Sequence, residues 1–125
     1  MPNTEQFPEI FARLKKNFEP FASRLVVAQD DPAAYTLNTS PSTKYPQGFF
    51  VSSVQIKKNY VSYHLMPVYM FPDLFEGISE RLKKRMQGKS CFNFTTTDEA
   101  LFAELGQLTA AGFERFRQER PLLAR

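Results

Sequence analysis

The chain lacks tryptophan and has one cysteine, Cys91, and one histidine, His64. A single cysteine excludes a disulfide within the chain, and the two residues together are too few for a structural zinc site of four Cys and His ligands. No apolar run approaches the ~18 residues that a membrane-spanning helix needs. The start, MPNTEQFPEI, has neither the basic leader nor the apolar segment of a secretory signal. We therefore predict a cytoplasmic protein that does not contact a membrane.

Phenylalanine is abundant, with 13 residues in a chain of 125 whose hydrophobic content is 42%. That content is ordinary for a globular protein and too high for intrinsic disorder. Because a phenylalanine side chain has no polar atom, we expect most of these rings in a core rather than against a ligand. No linker or internal repeat interrupts the chain, so a single domain over residues 1–125 is predicted.

Amphipathic helices are predicted towards both ends of the chain. Apolar residues spaced three and four apart indicate a first helix over residues 4–18, which Pro20 limits. A second stripe of this kind indicates a last helix over about 98–118, closed by Pro121. The two stripes consist of Phe7, Ile10, Phe11, Leu14 and Phe18, and of Leu101, Phe102, Leu105, Leu108, Gly112, Phe113 and Phe116.

Polar residues before the helical stretches are expected to act as caps. Ser79 would begin a short helix that continues to about Met86 and stops at Gly88, as glycine at a helix C-terminus favours. Thr97 or Asp98 would cap the last helix, since either side chain can accept a hydrogen bond from an unpaired backbone N–H.

The remaining segments favour β-strands. The Asp30-Asp31-Pro32 run is typical of a turn, and residues 40–48, with two prolines and a glycine, are expected to form a loop. Helix, four strands, short helix, strand and long helix make an α+β order. We predict an antiparallel sheet of about five strands with the N-terminal and C-terminal helices packed on it. The strands are expected at 24–29, 34–39, 49–57, 60–68 and 90–94.

The register of one hairpin follows from its alternation. With Lys58 and Asn59 as a two-residue turn, in which Asn tolerates the positive φ that tight turns require, residues on either side pair in a fixed order. One face of the pair is then apolar and the other is mostly polar. The apolar face holds the pairs Ile56/Val61, Val54/Tyr63 and Ser52/Leu65, and the other holds Gln55/Ser62, Ser53/His64 and Val51/Met66.

The polar side of this hairpin is the predicted ligand-binding surface. It is either a solvated sheet face, which antiparallel sheets often have, or the floor of a shallow pocket. The pocket would be walled by the 40–48 loop and by the aromatic residues of MPVYMF, residues 66–71. A neutral imidazole offers such a site one donor and one acceptor. The candidate ligand-binding residues are His64, Ser62, Ser53, Gln55, Asn38 and Thr36.

Other residue combinations favour structural roles. Cys91 and His64 would form a nucleophile and base only if their strands are neighbours, and a single cysteine in an apolar strand is more often a small core residue. A turn at Asp30 and Asp31 is a simpler interpretation than a metal site. The basic residues of RLKKR, 81–85, spread around a helix and favour a solvated face over contacts with nucleic acid. We predict no catalytic residue, metal ion, cofactor or nucleic-acid partner.

Three segments together resemble the YdhG-like family of domains of unknown function. They are GFFVSSVQIKKNYVSYHLMPVY, LKKRMQGKSCFNF and DEALFAELGQLTAAGFERF, and the resemblance covers about residues 34–117. It implies a small α+β domain, and some members of the family are described as frataxin-like iron chaperones. The expected function is a non-enzymatic binding domain for a small molecule or a protein partner. Frataxin-like handling of iron is the alternative, and the sequence leaves the ligand and the oligomeric state open.

Overall fold

The computed structural model describes residues 4–41, 46, 48–88 and 91–123. Its helices and strands alternate along the chain in the order expected of an α+β domain, and short 3₁₀ segments join some of them. In chain order the elements are α1 (Phe7–Lys15), β1 (Val26–Asp31), β2 (Ala34–Asn38), β3 (Phe50–Ile56), β4 (Val61–Leu65), α2 (Met66–Met70), α3 (Glu80–Lys83), β5 (Met86–Gln87), β6 (Cys91–Phe94) and α4 (Glu99–Leu123).

The strands form one antiparallel sheet in the order β1-β2-β3-β4-β6-β5. The predicted α+β class is therefore confirmed, with six strands in the described part of the chain where about five were expected. The additional strand is β5, which contains only Met86 and Gln87. These residues were expected at the end of the short helix. They instead pair with β6 across a turn in which Gly88 has φ of +77°, a backbone conformation that suits glycine.

The register predicted for the β3–β4 hairpin is confirmed from Ser52/Leu65 to Ile56/Val61. Lys57 N donates to Tyr60 O at 2.8 Å, so the connection is the expected pair Lys58 and Asn59. The turn does not use a positive φ, since among the described residues only glycines have one. Strict alternation specifies the register because a shift by one residue would move apolar side chains to the wrong face.

The core lies between one face of the sheet and the helices. Both predicted helical stripes are buried there, on α1 with its following turn and on α4. The ring of Phe18 stacks on that of Tyr63 with a centroid separation of 4.6 Å, which joins the segment after α1 to β4. The sheet contributes Tyr35, Leu37, Val54, Val61, Tyr63, Leu65, Phe92 and Phe94.

A buried polar contact links the sheet to α4. The Tyr63 hydroxyl bonds the Thr109 hydroxyl, which in turn donates to Leu105 O at 2.7 Å. Burial raises the pKa of the Tyr63 phenol well above its usual range. Asn17 Nδ2 donates to Phe102 O at 3.3 Å beside this contact. These bonds satisfy polar groups that would otherwise be costly inside the core.

Several element ends differ from the predictions, among them that of β1, which spans Val26–Asp31 rather than residues 24–29. β4 ends at Leu65 rather than at residue 68, because Pro67 lies in the first turn of α2, where its missing N–H costs little. α1 ends at Lys15 rather than at residue 18, since the next turns tighten to bonds between residues three apart. α4 continues to Leu123 although Pro121 was expected to close it.

The acidic pair belongs to β1 and not to the turn that follows. Asp30 and Asp31 are the last residues of the strand, and the turn consists of Pro32 and Ala33. Asp31 Oδ1 accepts a hydrogen bond from Ala33 N at 2.9 Å, and Lys15 Nζ lies 3.1 Å from Asp30 Oδ1. Proline supplies the fixed φ of the turn, while the aspartate before it bonds the backbone two residues later.

The predicted caps are present. Ser79 Oγ accepts from Leu82 N at 3.2 Å at the start of α3, which is shorter than expected and ends at Lys83. Of the two candidates for the last helix, Asp98 is the cap, with Oδ1 accepting from Leu101 N at 3.2 Å.

Candidate ligand-binding face

The central candidate residues form a row across neighbouring strands. Thr36 on β2 pairs with Ser53 on β3, and Ser53 pairs with His64 on β4. His64 pairs in turn with Cys91 on β6, which extends the row to a fourth strand. With strands about 4.8 Å apart, the row is ~14 Å long. The predicted hairpin register brings Ser53 and His64 together, and the β2–β3 pairing adds Thr36 beside them.

A second row runs beside the first. Gln55 on β3 pairs with Ser62 on β4, and Ser62 pairs with Asn93 on β6. All three side chains are partly exposed, whereas Tyr63 on the opposite side of the sheet is fully buried. The described helices pack on that opposite side. We call the remaining side the polar face, and it consists of Thr36, Asn38, Ser53, Gln55, Ser62, His64, Cys91 and Asn93.

An aromatic ring borders the polar face beside His64. The Phe50 ring lies 4.9 Å from the imidazole, centroid to centroid, at an interplanar angle of 59°. The sequence predicted Val51 at this side of the sheet, and that prediction is wrong because Val51 is fully buried in the core. A register irregularity opposite Asn38 pairs that residue with Phe50. An irregularity of this kind shifts the alternation of side chains along the strand.

The His64 imidazole is half-buried in this position. Burial lowers the pKa of the imidazole below its usual value, since removing water disfavours the charged form. The neutral ring therefore predominates at pH 7 and presents one donor and one acceptor nitrogen. A neutral imidazole suits hydrogen bonding to an uncharged ligand group better than pairing with a carboxylate.

Two acceptor atoms of the polar face are buried without a hydrogen-bond donor among the described residues. They are Oδ1 of Asn38 and Oδ1 of Asn93. A buried acceptor without a donor costs about 1–3 kcal/mol relative to one that is satisfied. The two amides lie in different strands, β2 and β6, so the acceptors without a donor are at separate places on the polar face.

Cys91 belongs to the polar face and not to the core. Its side chain is partly exposed, while the neighbouring Phe92 is fully buried on the other side of the sheet. The interpretation of Cys91 as a small core residue is therefore wrong. Because Cys91 pairs directly with His64, their Cβ atoms are expected ~5 Å apart. The sequence did not reveal this pairing, although the alternation of Phe92 and Phe94 indicated the side to which Cys91 points.

The walls expected for a pocket are only partly described. Residues 66–70 of the aromatic segment form α2, in which Pro67 and Val68 are buried. Val68 joins the core on the opposite side of the sheet, so α2 does not wall the polar face as predicted. Residues 42–45 and 47 of the predicted loop lie outside the described residues. The end of the loop is held by a bond of 2.7 Å from Phe49 N to Thr39 Oγ1.

The described residues contain no group of three or more His, Cys, Asp or Glu side chains placed to hold a metal ion. Within the same residues, no helix combines the length and apolarity required to cross a bilayer. Comparison with protein-family models, with curated proteins and with solved structures found no match to this chain. The resemblance to the YdhG-like family therefore stays a prediction from the sequence.

Proposed function

We propose that this chain is a non-enzymatic binding domain that holds a small molecule or a protein partner on the polar face. The observation that carries the proposal is the row Thr36, Ser53, His64 and Cys91, which crosses four adjacent strands on the side away from the helices. We further propose that the domain acts in the cytoplasm and belongs to the YdhG-like family.

The chemistry of the face supports recognition by hydrogen bonds. Serine and threonine hydroxyls, glutamine and asparagine amides and a neutral imidazole supply both donors and acceptors. Phe50 adds an apolar edge next to His64. The buried Oδ1 atoms of Asn38 and Asn93 have no donor among the described residues, so a partner that donated to these amides would offset a cost that the unbound domain carries.

A solvated sheet face would show a different pattern. Its polar side chains would be largely exposed to water. Here His64 packs against Phe50, and Ser53 is only 5% exposed. The face is therefore ordered before any partner arrives, which lowers the entropic cost of binding.

A nucleophile–base pair of Cys91 and His64 is the second candidate function, and the direct pairing of the two residues favours it. It requires a thiolate at neutral pH, since the thiolate is the reactive form. The rate of alkylation of Cys91 by iodoacetamide, measured from pH 5 to 10, tests it. The binding proposal predicts slow alkylation of Cys91 at pH 6 that is unchanged in His64→Ala. Fast alkylation at pH 6 that is lost in His64→Ala would favour catalysis.

Site-specific photo-cross-linking tests the binding proposal. A benzophenone amino acid replaces Ser62 on the polar face in one variant and Gln107, exposed on α4, in a matched control. Each variant is irradiated in cells of the organism of origin and analysed by mass spectrometry. We expect a defined adduct from position 62 that is absent from position 107 and is reduced when His64→Ala is added. Equal labelling at both positions, or none, would contradict the proposal.

A titration with ferrous iron tests the frataxin-like alternative. Asp30 is engaged by Lys15 and Asp31 by the turn backbone, so we expect no binding at micromolar protein. Binding that is abolished by Asp30→Asn with Asp31→Asn would move the protein to the metal-handling class.

A further inference from the structure

A cavity of about 300 Å³ lies between α3, the end of β6 and the start of α4. It is separate from the polar face, because Phe94 lines it and points to the helical side of the sheet. Arg81, Lys84 and Arg85 line the cavity together. These are three of the four basic residues that the sequence placed around a solvated helix. They converge because α3 ends at Lys83 and the chain then turns towards β5.

The charges around the cavity do not cancel. Arg81 Nη2 lies 2.6 Å from Asp98 Oδ2, and Asp98 Oδ1 is engaged by Leu101 N. Lys84 and Arg85 form no ion pair within the described part of the chain, so three cations face one carboxylate and leave an excess of two positive charges. Closely spaced, uncompensated cations repel one another, and a dianion would remove that repulsion.

The rest of the lining separates into a polar and an apolar part. Thr95 and Thr96 contribute the segment between β6 and α4, and their hydroxyls can donate hydrogen bonds. Phe94 and Leu101 are buried and form an apolar floor. Phe94 is held by an edge-to-face contact with Phe102 at 5.1 Å between ring centroids. The cavity thus offers cations and hydroxyl groups above a fixed hydrophobic surface.

We propose that this cavity binds a small phosphorylated molecule, with the phosphate group between Lys84, Arg85 and the threonine hydroxyls. A phosphate monoester carries close to two negative charges at pH 7, which matches the excess charge of the lining. A guanidinium group can bond two phosphate oxygens at once. The organic part of the ligand lies against Phe94 and Leu101. A volume of about 300 Å³ is at the lower end of the range for ligand pockets, so the organic part is small.

A small ligand fits this site better than a nucleic acid does. A polynucleotide is held by cations along an extended surface, whereas these cations surround one cavity and α3 has only four residues. The inference is independent of the proposed function of the polar face, since no residue is shared between the two sites.

The test uses phenyl phosphate as the probe, with phenol and phenyl sulfate as controls. Binding is measured by calorimetry and by amide chemical shifts in ¹H–¹⁵N NMR. We expect phenyl phosphate to bind more tightly than the monoanionic sulfate, and phenol not to bind. Binding should weaken below pH ~6, where the phosphate dianion takes up a proton. The largest shifts should fall at Thr95, Thr96 and Leu101.

Matched variants then assign the site. Lys84→Gln and Arg85→Gln should each weaken binding by about tenfold, as expected for one charge-assisted contact. Lys83→Gln removes one positive charge at the position next to Lys84, but Lys83 pairs with Glu80 and does not line the cavity. It should therefore change the affinity by less than about twofold, because exposed charges outside a site are screened.

Several results would overturn the inference. No binding of phenyl phosphate at millimolar concentration is one, and equal losses in Lys83→Gln and Lys84→Gln are another, since they would indicate attraction to net charge alone. Shifts confined to His64 and Ser62 would assign the probe to the polar face instead. A single-stranded oligonucleotide that binds far more tightly than phenyl phosphate, with the same dependence on Arg85, would make the site one for nucleic acid.

Discussion

Removing the Thr109 hydroxyl should destabilise the domain more than removing the Tyr63 hydroxyl, although the two share one hydrogen bond. Thr109 Oγ1 lies 2.7 Å from Leu105 O, which can only accept, so the threonine proton points to that carbonyl. A hydroxyl has one proton. Tyr63 is therefore the donor in its bond to Thr109.

The magnitudes follow from which group each substitution leaves unpaired. Tyr63→Phe removes a donor, while Thr109 still donates to Leu105 O, so the cost is that of one ordinary hydrogen bond, about 1 kcal/mol. Thr109→Val keeps the side-chain shape and the β-branch. It leaves the fully buried Tyr63 hydroxyl without this acceptor and also removes the bond to Leu105 O. An unsatisfied buried donor adds about 1–3 kcal/mol, so Thr109→Val should cost about 2–4 kcal/mol.

Urea unfolding followed by circular dichroism measures this order. The variants are Tyr63→Phe, Thr109→Val and the double substitution. The double variant should be more stable than the sum of the two single effects predicts, because it contains no Tyr63 hydroxyl that could be left without an acceptor. Additive effects, or a larger loss for Tyr63→Phe than for Thr109→Val, would refute the assignment of donor and acceptor.

Three further predictions concern pH and backbone strain. Because burial raises the pKa of Tyr63, the free energy of unfolding of the wild type should be constant up to pH ~10 and fall above it. In urea titrations at several pH values, the slope for Tyr63→Phe should be shallower than that of the wild type by up to about 1.4 kcal/mol per pH unit. Equal slopes for the two proteins would contradict this. Because burial lowers the pKa of His64, the wild type should lose stability as the pH falls below ~6.5, and His64→Ala should lose less stability over the same range. At pH 7.5, His64→Ala should lower the free energy of unfolding by less than ~1 kcal/mol. Unfolding of His64→Ala would show that the ring is structural. Gly48 has φ of +87°, and an added Cβ would collide with the Thr39 carbonyl. Thermal denaturation should therefore show that Gly48→Ala loses more than about 1 kcal/mol of stability. The control Gly77→Ala should lose little, because an added Cβ there meets nothing within 4 Å.

The hairpin was predictable because its information is local. Five consecutive pairs, from Ser52/Leu65 to Ile56/Val61, follow from strict alternation and a two-residue turn. The placement of Ser53, Gln55, Ser62 and His64 on one face needed nothing more. Val51 was misplaced because the irregularity opposite Asn38 depends on the packing of the neighbouring strand and leaves no signal in β3 itself.

Contacts between distant parts of the chain were not predictable in the same way. The pairing of His64 with Cys91 depends on how the intervening 26 residues fold back, since β4 and β6 are not consecutive strands. The cavity at Arg81, Lys84 and Arg85 was missed for a related reason. Helical spacing spreads these residues around an axis, but α3 is four residues long, so the spacing does not apply beyond Lys83.

The most direct test of the central claim is native mass spectrometry of the domain purified from its organism of origin. Wild type, His64→Ala and the control Gln107→Ala on α4 are compared under the same gentle conditions. Binding on the polar face predicts an additional bound mass in wild type and in Gln107→Ala that is lost or strongly reduced in His64→Ala. A bound mass that is equally abundant in all three proteins, or absent from wild type, would contradict the claim.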